Sequence, residues 1–374
     1  MEEAAEILDG VRVLSVAEQY PGPYATLLLA DLGADVVQVE RPTGDPSRAF
    51  DGFYAALNRN KRSVVLDLKA TEGLERFLSL AAAADVVLEG FRPGTVERLG
   101  IGYKAVSARN PAIIYVSISG YGQDGPLRDH PNHDAGYQAS AGLLSQQARA
   151  GVPGQAPAVQ VGDLAAGIFG FAGVLLGLLH RARTTQGLYL DVSMLDVLVS
   201  MMTAPLTMVA NDSGPPMFLL SSPGYRLYAT SDGRLLALGI AHEDKFWRSL
   251  CQITRLDHLA HLTHADRVMY RDNIIADLTR VFITRPCEEW VEDLRRAGVP
   301  CGPVHDLAEV SEDPQVDARK LFVSVTESDG SRRRYVRQPL RPLGYSDSPT
   351  TGCPALGQHT DQVLREWVSS PTSR

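Results

Sequence analysis

The sequence is poor in the residues that cross-link small folds or hold structural metals. Only four of its 374 residues are cysteine, at positions 251, 287, 301 and 353, and they form no Cys-x-x-Cys pair. This spacing predicts neither a disulfide framework nor a zinc site, so we expect four reduced thiols and no bound metal. A chain of this length can bury a sizeable core without such cross-links.

An excess of positive charge is also missing, since 36 Lys and Arg stand against 44 Asp and Glu. The formal charge of −8 argues against nucleic acid as the main partner, because binding to a phosphate backbone requires a basic surface. The longest apolar stretch, residues 164–179, contains four glycines and is short for a membrane span of about 20 residues. The first ten residues lack the regions of a signal peptide. We therefore expect a cytoplasmic enzyme with neither membrane nor nucleic-acid partners.

The sequence does contain a repeated alternation of apolar strands and helices. Residues 11–16 predict a buried strand, 24–32 a helix and 35–40 a second strand. Such a unit requires a parallel sheet covered by helices, and the alternation recurs up to residue 118. The predicted fold class is therefore α/β with a doubly wound parallel sheet. No G-x-G-x-x-G follows the first strand, which weakens the dinucleotide-binding version of this fold.

The later part of the chain predicts a second, smaller domain. Two apolar segments, 158–181 and 194–209, predict buried helices. Proline and glycine then cluster at 214–224, as at a loop or domain boundary. A predicted hairpin and three helices follow and indicate an α+β domain. The segments expected from these patterns are 1–213, 225–312 and 313–374.

Basic residues cluster around three of the predicted strands. Because the carboxyl ends of parallel strands form the ligand crevice of an open sheet, we place all three clusters at that edge. The planar guanidinium fork of arginine binds two phosphate oxygens at once, so the clusters favour a phosphate-bearing cofactor. The alternative is a set of solvated charges and helix-cap partners. The candidate residues are Arg41, Arg48, Lys61, Arg62, Arg92 and Arg98.

Three further residues are candidates for catalysis. His133 lies in a loop, and a histidine side chain can give or take a proton near neutral pH, although a plain surface position is the alternative. Asp163 begins a strongly apolar helix, where a carboxylate serves either as a helix N-cap or as a nucleophile. Glu243 precedes a predicted helix. It either opens that helix or has a catalytic role.

These residues lie within motifs that resemble one known family. The sequence is similar to the class III CoA-transferases (the CaiB/BaiF family), which also include the α-methylacyl-CoA racemases. The resemblance runs in order over nearly the whole chain. The motifs are ADLGADVVQVERP from Ala30, NRNKRSVVLDLK from Asn58, EGFRPG from Glu89, SISGYGQDGP from Ser117, Gly162-Asp163, GLYLDVSM from Gly187 and LGQHT from Leu356.

The resemblance implies a Rossmann-like large domain built from both chain ends, an inserted smaller domain and an interlocked homodimer. It also implies coenzyme A as a substrate, with the six basic residues along its phosphates and adenine. Asp163 matches the family's catalytic aspartate. In the transferases that carboxylate attacks an acyl-CoA and becomes a mixed anhydride, then an aspartyl-CoA thioester, and a carboxylic acid acceptor collects the CoA.

The resemblance leaves three hypotheses open. The first is CoA transfer through Asp163. In the second, a 2-methylacyl-CoA racemase or epimerase, His133 and Asp163 flank the α-carbon and Glu243 supports His133. The third is a CoA-binding protein without chemistry. The sequence mixes the patterns, because His133 followed by Asp134 resembles the racemases whereas Gln138 resembles the transferases.

Overall fold

The computed structural model describes residues 6–149, 156–213, 222–327, 329–340 and 351–368. It forms two compact units, each described here by itself. The first unit combines the two chain ends, up to Met202 and from Asp317 onward, and the second takes Thr203–Val316. Most of the Pro- and Gly-rich segment that we predicted as a boundary, residues 214–221, lies outside the described residues.

The first unit is built on a six-stranded parallel sheet. Its strands are β1 (Arg12–Ser15), β2 (Asp35–Glu40), β3 (Lys61–Val65), β4 (Val86–Glu89), β5 (Ile114–Ser119) and β6 (Leu188–Ser193). Their order is β3-β2-β1-β4-β5-β6, and Val13 of β1 lies opposite Val36 on one side and Val86 on the other. Strands β2 and β3 therefore follow β1 on one side, and β4, β5 and β6 follow on its other side. The strand order reverses between β1 and β4, which makes this the topological switch point of the sheet. The predicted α/β class with a parallel sheet is confirmed.

Helices cover both faces of this sheet. They are α1 (Pro21–Ala30), α2 (Asp51–Asn58), α3 (Thr71–Ala83), α4 (Thr95–Leu99), α5 (Tyr103–Arg109), α6 (Asp134–Ser140), α7 (Leu143–Arg149), α8 (Val161–Thr184) and α9 (Met194–Met201), with a 3₁₀ turn at Pro46–Ala49. Alternate strand residues point to opposite faces, so Val86 lies in the core under α1 and α8 whereas Val87 lies in the core under α3. Full burial of each such side chain contributes about 1.5–3 kcal/mol.

Helix α8 packs on the sheet through a glycine face. A Cβ added at Gly167 would lie 2.8 Å from the carbonyl oxygen of Pro21, and one at Gly170 would lie 2.7 Å from Ile118 Cδ1. The absent side chains let α8 approach α1 and β5 closely. Within the described residues, α8 is also the one helix that is long and apolar enough to cross a membrane by length and composition.

The prediction that α8 is buried on nearly every face is wrong. Its outer side leaves Ile168, Phe169, Leu176 and Leu179 between 47% and 57% exposed, because the glycine face alone meets the sheet. The second predicted buried helix, 194–209, is interrupted at Met202. Only its first part, α9, contains buried side chains.

The second unit is α+β. Its three-stranded antiparallel sheet consists of β7 (Leu227–Ala229), β8 (Leu235–Leu238) and β9 (Cys301–Pro303), and the predicted hairpin of β7 and β8 is confirmed. The helices are α10 (Thr203–Ala210), α11 (Asp244–Thr254), α12 (His264–Met269), α13 (Arg271–Phe282), α14 (Cys287–Arg296), α15 (Leu307–Glu312) and α16 (Pro314–Ala318), with a 3₁₀ turn at Asp257–Leu259. Its core contains Trp247, Phe282 and Trp290.

The chain then returns to the first unit. Strands β10 (Phe322–Thr326) and β11 (Arg332–Val336) form an antiparallel pair, and α17 (Thr360–Val368) packs beside α3 and β3. Trp367 is buried in the core under α3, and its Nε1 donates a hydrogen bond of 2.9 Å to Asp35 Oδ2. The carboxyl-terminal segment is thus an integral part of the domain that contains the parallel sheet.

Candidate active site

A cavity of about 310 Å³ opens at the carboxyl ends of β1, β4 and β5, at the switch point of the sheet. Larger cavities of about 520 and 730 Å³ lie elsewhere in the same unit, but neither is lined by Asp163 or His133. The smaller cavity brings both residues together, so we take it as the candidate site. Its polar lining consists of Glu18, Gln19, Tyr20, Arg92, Ser119, Tyr121, Arg128, His130, Asn132, His133, Tyr137 and Asp163.

Asp163 lies in the first turn of α8 and is not its N-cap, which is Gln160. The alternative that Asp163 caps the helix is therefore wrong. The cap is supplied instead by Asp134 of α6, whose Oδ1 accepts hydrogen bonds from the backbone amides of Gly162 at 2.7 Å and Asp163 at 3.2 Å. The carboxylate of Asp163 is left to face the cavity.

The environment of Asp163 makes its carboxylate unusually basic. Burial in the cavity wall raises its pKa from 3.8 to about 7, and the neighbouring charge of Asp134 acts in the same direction. A carboxylate with a raised pKa is a stronger nucleophile or base than an exposed one, and it is substantially ionised at neutral pH. Asp163 therefore has the chemistry of a catalytic group.

His133 lines the same cavity from the start of α6, whereas Asp163 lines it from α8. It is the N-cap of α6, is exposed, and its imidazole makes no hydrogen bond within the part of the chain that the structure describes. Its backbone amide donates to Asn132 Oδ1 at 2.9 Å, and Asn132 in turn donates to the hydroxyl of Tyr121 at 2.7 Å. Tyr137 donates to the carbonyl of Asn132 and completes this polar wall.

The turn after β1 contributes a strained residue to the cavity. Gln19 adopts a φ of +67°, a left-handed conformation that is uncommon for residues other than glycine. Its amide donates to Asp45 Oδ2 at 3.2 Å, which helps to hold this conformation. Such strain often accompanies functional sites, but no periodicity in the sequence could have revealed it.

Two arginines, Arg92 and Arg128, line the cavity, and a third, Arg98, lies beside Arg128 over Gly94. Arg92 lines the cavity after β4, and its guanidinium has no hydrogen-bond or ion-pair partner within the described ranges. Arg98 donates to the Thr95 hydroxyl, and Arg128 lies 3.9 Å from Asp129. A Cβ built on Gly94 would be 3.3 Å from Arg98 Nη1 and 3.7 Å from Arg128 Nη2, so two guanidinium groups converge over this glycine. Such a cluster suits an anionic ligand.

Our sequence analysis missed Arg128. It follows the loop after β5, and the same edge argument that selected Arg92 would have selected it. Arg128 lies two residues after a Gly-Pro pair, in the same loop as His133. A basic residue in any loop that follows a central parallel strand is thus a useful signal for a ligand site.

Two other predicted residues, Arg41 and Arg48, follow β2 as expected but are already paired. Arg41 contacts Glu18 at 2.9 Å. Arg48 forms a two-pronged ion pair with buried Glu40, at 2.7 and 2.8 Å. Burial alone would raise the pKa of Glu40, but hydrogen bonds from Arg48 and Ser63 outweigh it and lower that pKa. Arg48 therefore stabilises the end of β2 in this structure.

The placement of Lys61 and Arg62 at the same edge is wrong. They are the first residues of β3, paired with Val36 and Val37 of parallel β2, and so lie at the amino edge of the sheet. The buried ammonium of Lys61 donates to the Pro23 carbonyl at 2.8 Å, and Arg62 bonds to Asp35 at 2.8 and 2.5 Å. The edge argument does not apply to them, and their predicted contact with coenzyme A rests on the resemblance alone.

Glu243 belongs to the second unit and is the N-cap of α11. Its carboxylate accepts hydrogen bonds from the amides of Ala241 at 3.0 Å and His242 at 3.1 Å. Hydrogen bonds from its own and these neighbouring amides lower the pKa of Glu243. The N-cap position fits the helix-opening alternative, although the carboxylate bonds to amides that precede the helix, and a role beside His133 stays a prediction.

Potential metal ligands are dispersed in the part of the chain that the structure describes. No three His, Cys, Asp or Glu side chains there gather into a group that could hold a metal ion. All four cysteines are free thiols. The chemistry that this cavity offers is therefore that of a basic carboxylate, an imidazole and unneutralised guanidinium groups.

The raised pKa of Asp163 predicts a pH-dependent effect on stability. Its ionisation is disfavoured in the folded state, so its contribution to stability is full below about pH 4 and is lost as pH rises through about 7. Asp163→Asn removes this dependence. We expect its melting temperature, relative to the natural protein, to be higher at pH 8 than at pH 4.5 by about 1–2 °C, for an effect on the order of 1 kcal/mol. Differential scanning calorimetry at both pH values tests this, and an equal difference at both would contradict it.

The chain is similar to a known protein family over most of its length. The model for "CoA-transferase family III" matches residues 8–360. The chain is 32% identical to succinyl-CoA:mesaconate CoA-transferase of Haloarcula marismortui over 98% of each chain. It is 34% identical to succinate–glutarate CoA-transferase of Agrobacterium fabrum over 96% of this chain and 95% of that one.

A solved structure is similar over the same extent. A CaiB/BaiF family protein from Brucella suis is 26% identical, with a TM-score of 0.84, over 96% of this chain and 99% of that one. The matched region includes the parallel sheet, the cavity at its switch point and the second unit. The chain therefore belongs to CoA-transferase family III, and it is an enzyme that transfers CoA between an acyl-CoA and a carboxylic acid.

Proposed function

We propose that Asp163 is the nucleophile of this CoA-transferase and that a short dicarboxylic acid is its acceptor. The observation that carries the proposal is the position of Asp163, a half-buried carboxylate with a pKa of about 7 in the cavity at the switch point. The unneutralised arginines around that cavity supply the complementary charge for an anionic substrate.

The proposed reaction proceeds through three covalent states of Asp163, a mixed anhydride, a thioester and a second mixed anhydride. A carboxylate oxygen attacks the thioester carbonyl of the donor, the C–S bond breaks, and CoA leaves as a thiolate. The thiolate then attacks the aspartyl carbonyl of the mixed anhydride and releases the donor acid as a carboxylate. The acceptor carboxylate attacks the resulting aspartyl-CoA thioester, the C–S bond breaks and CoA leaves again as a thiolate. This thiolate finally attacks the acceptor side of the second anhydride. The last step regenerates the Asp163 carboxylate, so atoms and charge balance.

The arginines provide a binding site for the phosphates of coenzyme A in this proposal. Arg92 and Arg128 line the cavity, and Arg98 lies over Gly94. Within the described residues Arg92 and Arg98 form no ion pair, and Arg128 forms a long one of 3.9 Å with Asp129, whereas Arg41 and Arg48 form ion pairs of 2.9 and 2.7 Å. A guanidinium without a partner gains more from a phosphate than one that must first leave a carboxylate. We therefore assign the phosphate contacts to the first three.

The size of the cavity and the relatives support a short dicarboxylic acid. A volume of about 310 Å³ is at the lower end of the range for small-molecule sites, which suits a small acyl group. The two related enzymes are named for succinyl, mesaconate and glutarate groups, all of which derive from dicarboxylic acids. The second carboxylate of such a substrate would meet a cationic wall.

We also propose an interlocked homodimer in the cytoplasm. The exposed apolar side chains on the outer side of α8, together with Val199 and Met201 of α9, support an interface with a second copy. Soluble monomers rarely expose so many large apolar residues on adjacent helices. Size-exclusion chromatography with light scattering tests this part of the proposal, which a monomer at micromolar concentration would contradict.

Racemisation is the second candidate, because His133 and Asp163 line one cavity. In that reaction one residue removes the α-proton of a 2-methylacyl-CoA and the other returns a proton to the opposite face. Two proton-transfer groups around one small cavity suit this chemistry, with Glu243 in a supporting role. The third candidate, a binding protein without chemistry, would use the arginines alone.

One experiment in D2O separates the three candidates. Succinyl-CoA and glutarate are incubated with the enzyme, and a 2-methylacyl-CoA is incubated separately without an acceptor acid. We expect glutaryl-CoA and free succinate in equal amounts, no transfer when glutarate is omitted, and no deuterium at the α-carbon of the 2-methylacyl-CoA. Deuterium incorporation without transfer would favour the racemase, and CoA binding without either reaction would favour the binding protein.

A further inference from the structure

Two acidic side chains adjoin at the first turn of α8. Asp134 is only 6% exposed, and its Oδ1 accepts the amides of Gly162 and Asp163. A Cβ at Gly162 would lie 2.8 Å from the same oxygen, so the glycine is what lets this carboxylate reach the helix end. The capping group and the nucleophile are therefore held within one turn of each other.

The second oxygen of Asp134 is held from its own helix. Gln138 is fully buried, and its Nε2 donates to Asp134 Oδ2 at 2.5 Å and to the Val159 carbonyl at 3.1 Å. Its Oε1 is buried and has no partner within the described residues. Every hydrogen bond described for the Asp134 carboxylate is thus one that it accepts from a neutral amide, and it forms no ion pair with any residue that the structure describes.

A neutral acceptor would cap α8 as well as a charged one does, since serine and asparagine are as effective as aspartate at helix N-termini. A charged cap beside a catalytic carboxylate carries a cost, because two like charges repel strongly in a low-dielectric site. That cost disappears when Asp163 becomes a neutral anhydride or thioester. The charge of Asp134 thus acts differently on the free and the acylated enzyme.

We propose that Asp134, held by Gln138, is a positioning residue that fixes the backbone of Asp163 and favours its acylation by electrostatic repulsion. This inference rests on the proposed role of Asp163 as nucleophile. In the first step the Asp163 oxygen forms a bond to the acyl carbon, the C–S bond breaks, and the negative charge moves from Asp163 to the departing CoA thiolate. Asp134 keeps its amide contacts throughout, so the helix end remains in place while the repulsion is relieved.

Other groups around Asp163 do not supply this effect. Tyr20 follows β1 and Tyr137 belongs to α6; both are neutral near pH 7, because burial raises the pKa of each phenol. Arg92 and Arg128 line the cavity but carry the opposite charge, and Glu18 lies on the same wall, where an ion pair with Arg41 offsets its charge. Asp134 is the acidic group whose charge raises the pKa of Asp163.

The substitution Asp134→Asn tests the proposal, because asparagine keeps one oxygen to accept the two amides and loses the charge. Gln138 can rotate its side-chain amide and present its unpartnered oxygen to the new amide group. We expect the limb of kcat/KM that reports ionisation of Asp163 to move to lower pH. We also expect the fraction of enzyme trapped as an Asp163 adduct with succinyl-CoA to fall about tenfold, equivalent to one pH unit of coupling.

Two variants control for structural effects. Asp134→Glu keeps the charge and should keep the natural pH limb even if its activity is lower. Asp9→Asn changes an exposed carboxylate near the amino terminus and should alter neither readout. If Asp134→Asn lowers activity at every pH but leaves the limb and the adduct fraction unchanged, Asp134 is a helix cap only and the proposal fails. If the natural enzyme yields no Asp163 adduct at all, the proposed function fails and this inference fails with it.

Discussion

Asp163→Ala is expected to lower kcat for CoA transfer at least about 1,000-fold, with the Kd for acyl-CoA changed no more than several-fold. Loss of a nucleophile removes the covalent route altogether, and such losses in other enzymes reach or exceed this size. The phosphate contacts that we assign to Arg92, Arg98 and Arg128 do not involve Asp163, so binding should persist. Steady-state kinetics and isothermal titration calorimetry measure the two quantities.

Asp361→Asn is the matched control for this prediction. Asp361 likewise lies in the first turn of a helix, α17, and is exposed. Its substitution should leave kcat unchanged. A variant without Asp163 that retains a tenth or more of the natural kcat would show that the nucleophile is another group.

Arg92→Gln is expected to raise KM for acyl-CoA about 10- to 100-fold, with kcat changed only a few-fold. A hydrogen bond between charged groups contributes about 1.5–3 kcal/mol, and no carboxylate within the described residues competes for Arg92. Its loss should therefore weaken the ground state and the transition state alike. Initial-rate measurements over a range of acyl-CoA concentrations give both parameters.

Two other arginines calibrate this result. Arg109 ends α5, pairs with Glu75 and precedes β5, so it lies at the opposite edge of the sheet, and Arg109→Gln should leave KM unchanged. Arg41→Gln should give a smaller rise than Arg92→Gln, because Arg41 must leave Glu18 before it can bind a phosphate. Equal values of KM for the natural enzyme and Arg92→Gln would remove Arg92 from the coenzyme A site.

The sheet could be predicted from the sequence because each strand is a short apolar run separated from the next by a helix. Buried parallel strands such as β4 carry apolar residues on both faces, and this signal is local. Because Arg92 and Arg98 follow a strand in the chain, the sequence placed them at the carboxyl edge of the sheet. The local pattern indicated that Asp163 was either a helix cap or a nucleophile. The family motifs then matched it to the catalytic aspartate.

Other features depend on contacts between distant segments and could not be predicted. Asp134 caps a helix that begins 27 residues later in the chain, so the true cap of α8 had no local signal. Lys61 precedes most of β3 in the chain, so chain direction alone would have placed it at the amino edge, and its assignment to the carboxyl edge misapplied that argument. The apolar composition of α8 did not reveal that only its glycine face meets the sheet.

The central claim is that CoA transfer passes through a covalent adduct on Asp163, and chemical trapping tests it most directly. The tryptic fragment 150–181 contains Asp163 as its only carboxylate side chain, which makes any modification unambiguous. The enzyme is incubated with succinyl-CoA, quenched with hydroxylamine or borohydride, digested and analysed by mass spectrometry. We predict a modified fragment 150–181 that forms only in the presence of acyl-CoA and reverts to the natural mass when an acceptor acid is added before the quench. An unmodified fragment under conditions in which transfer proceeds would contradict the account.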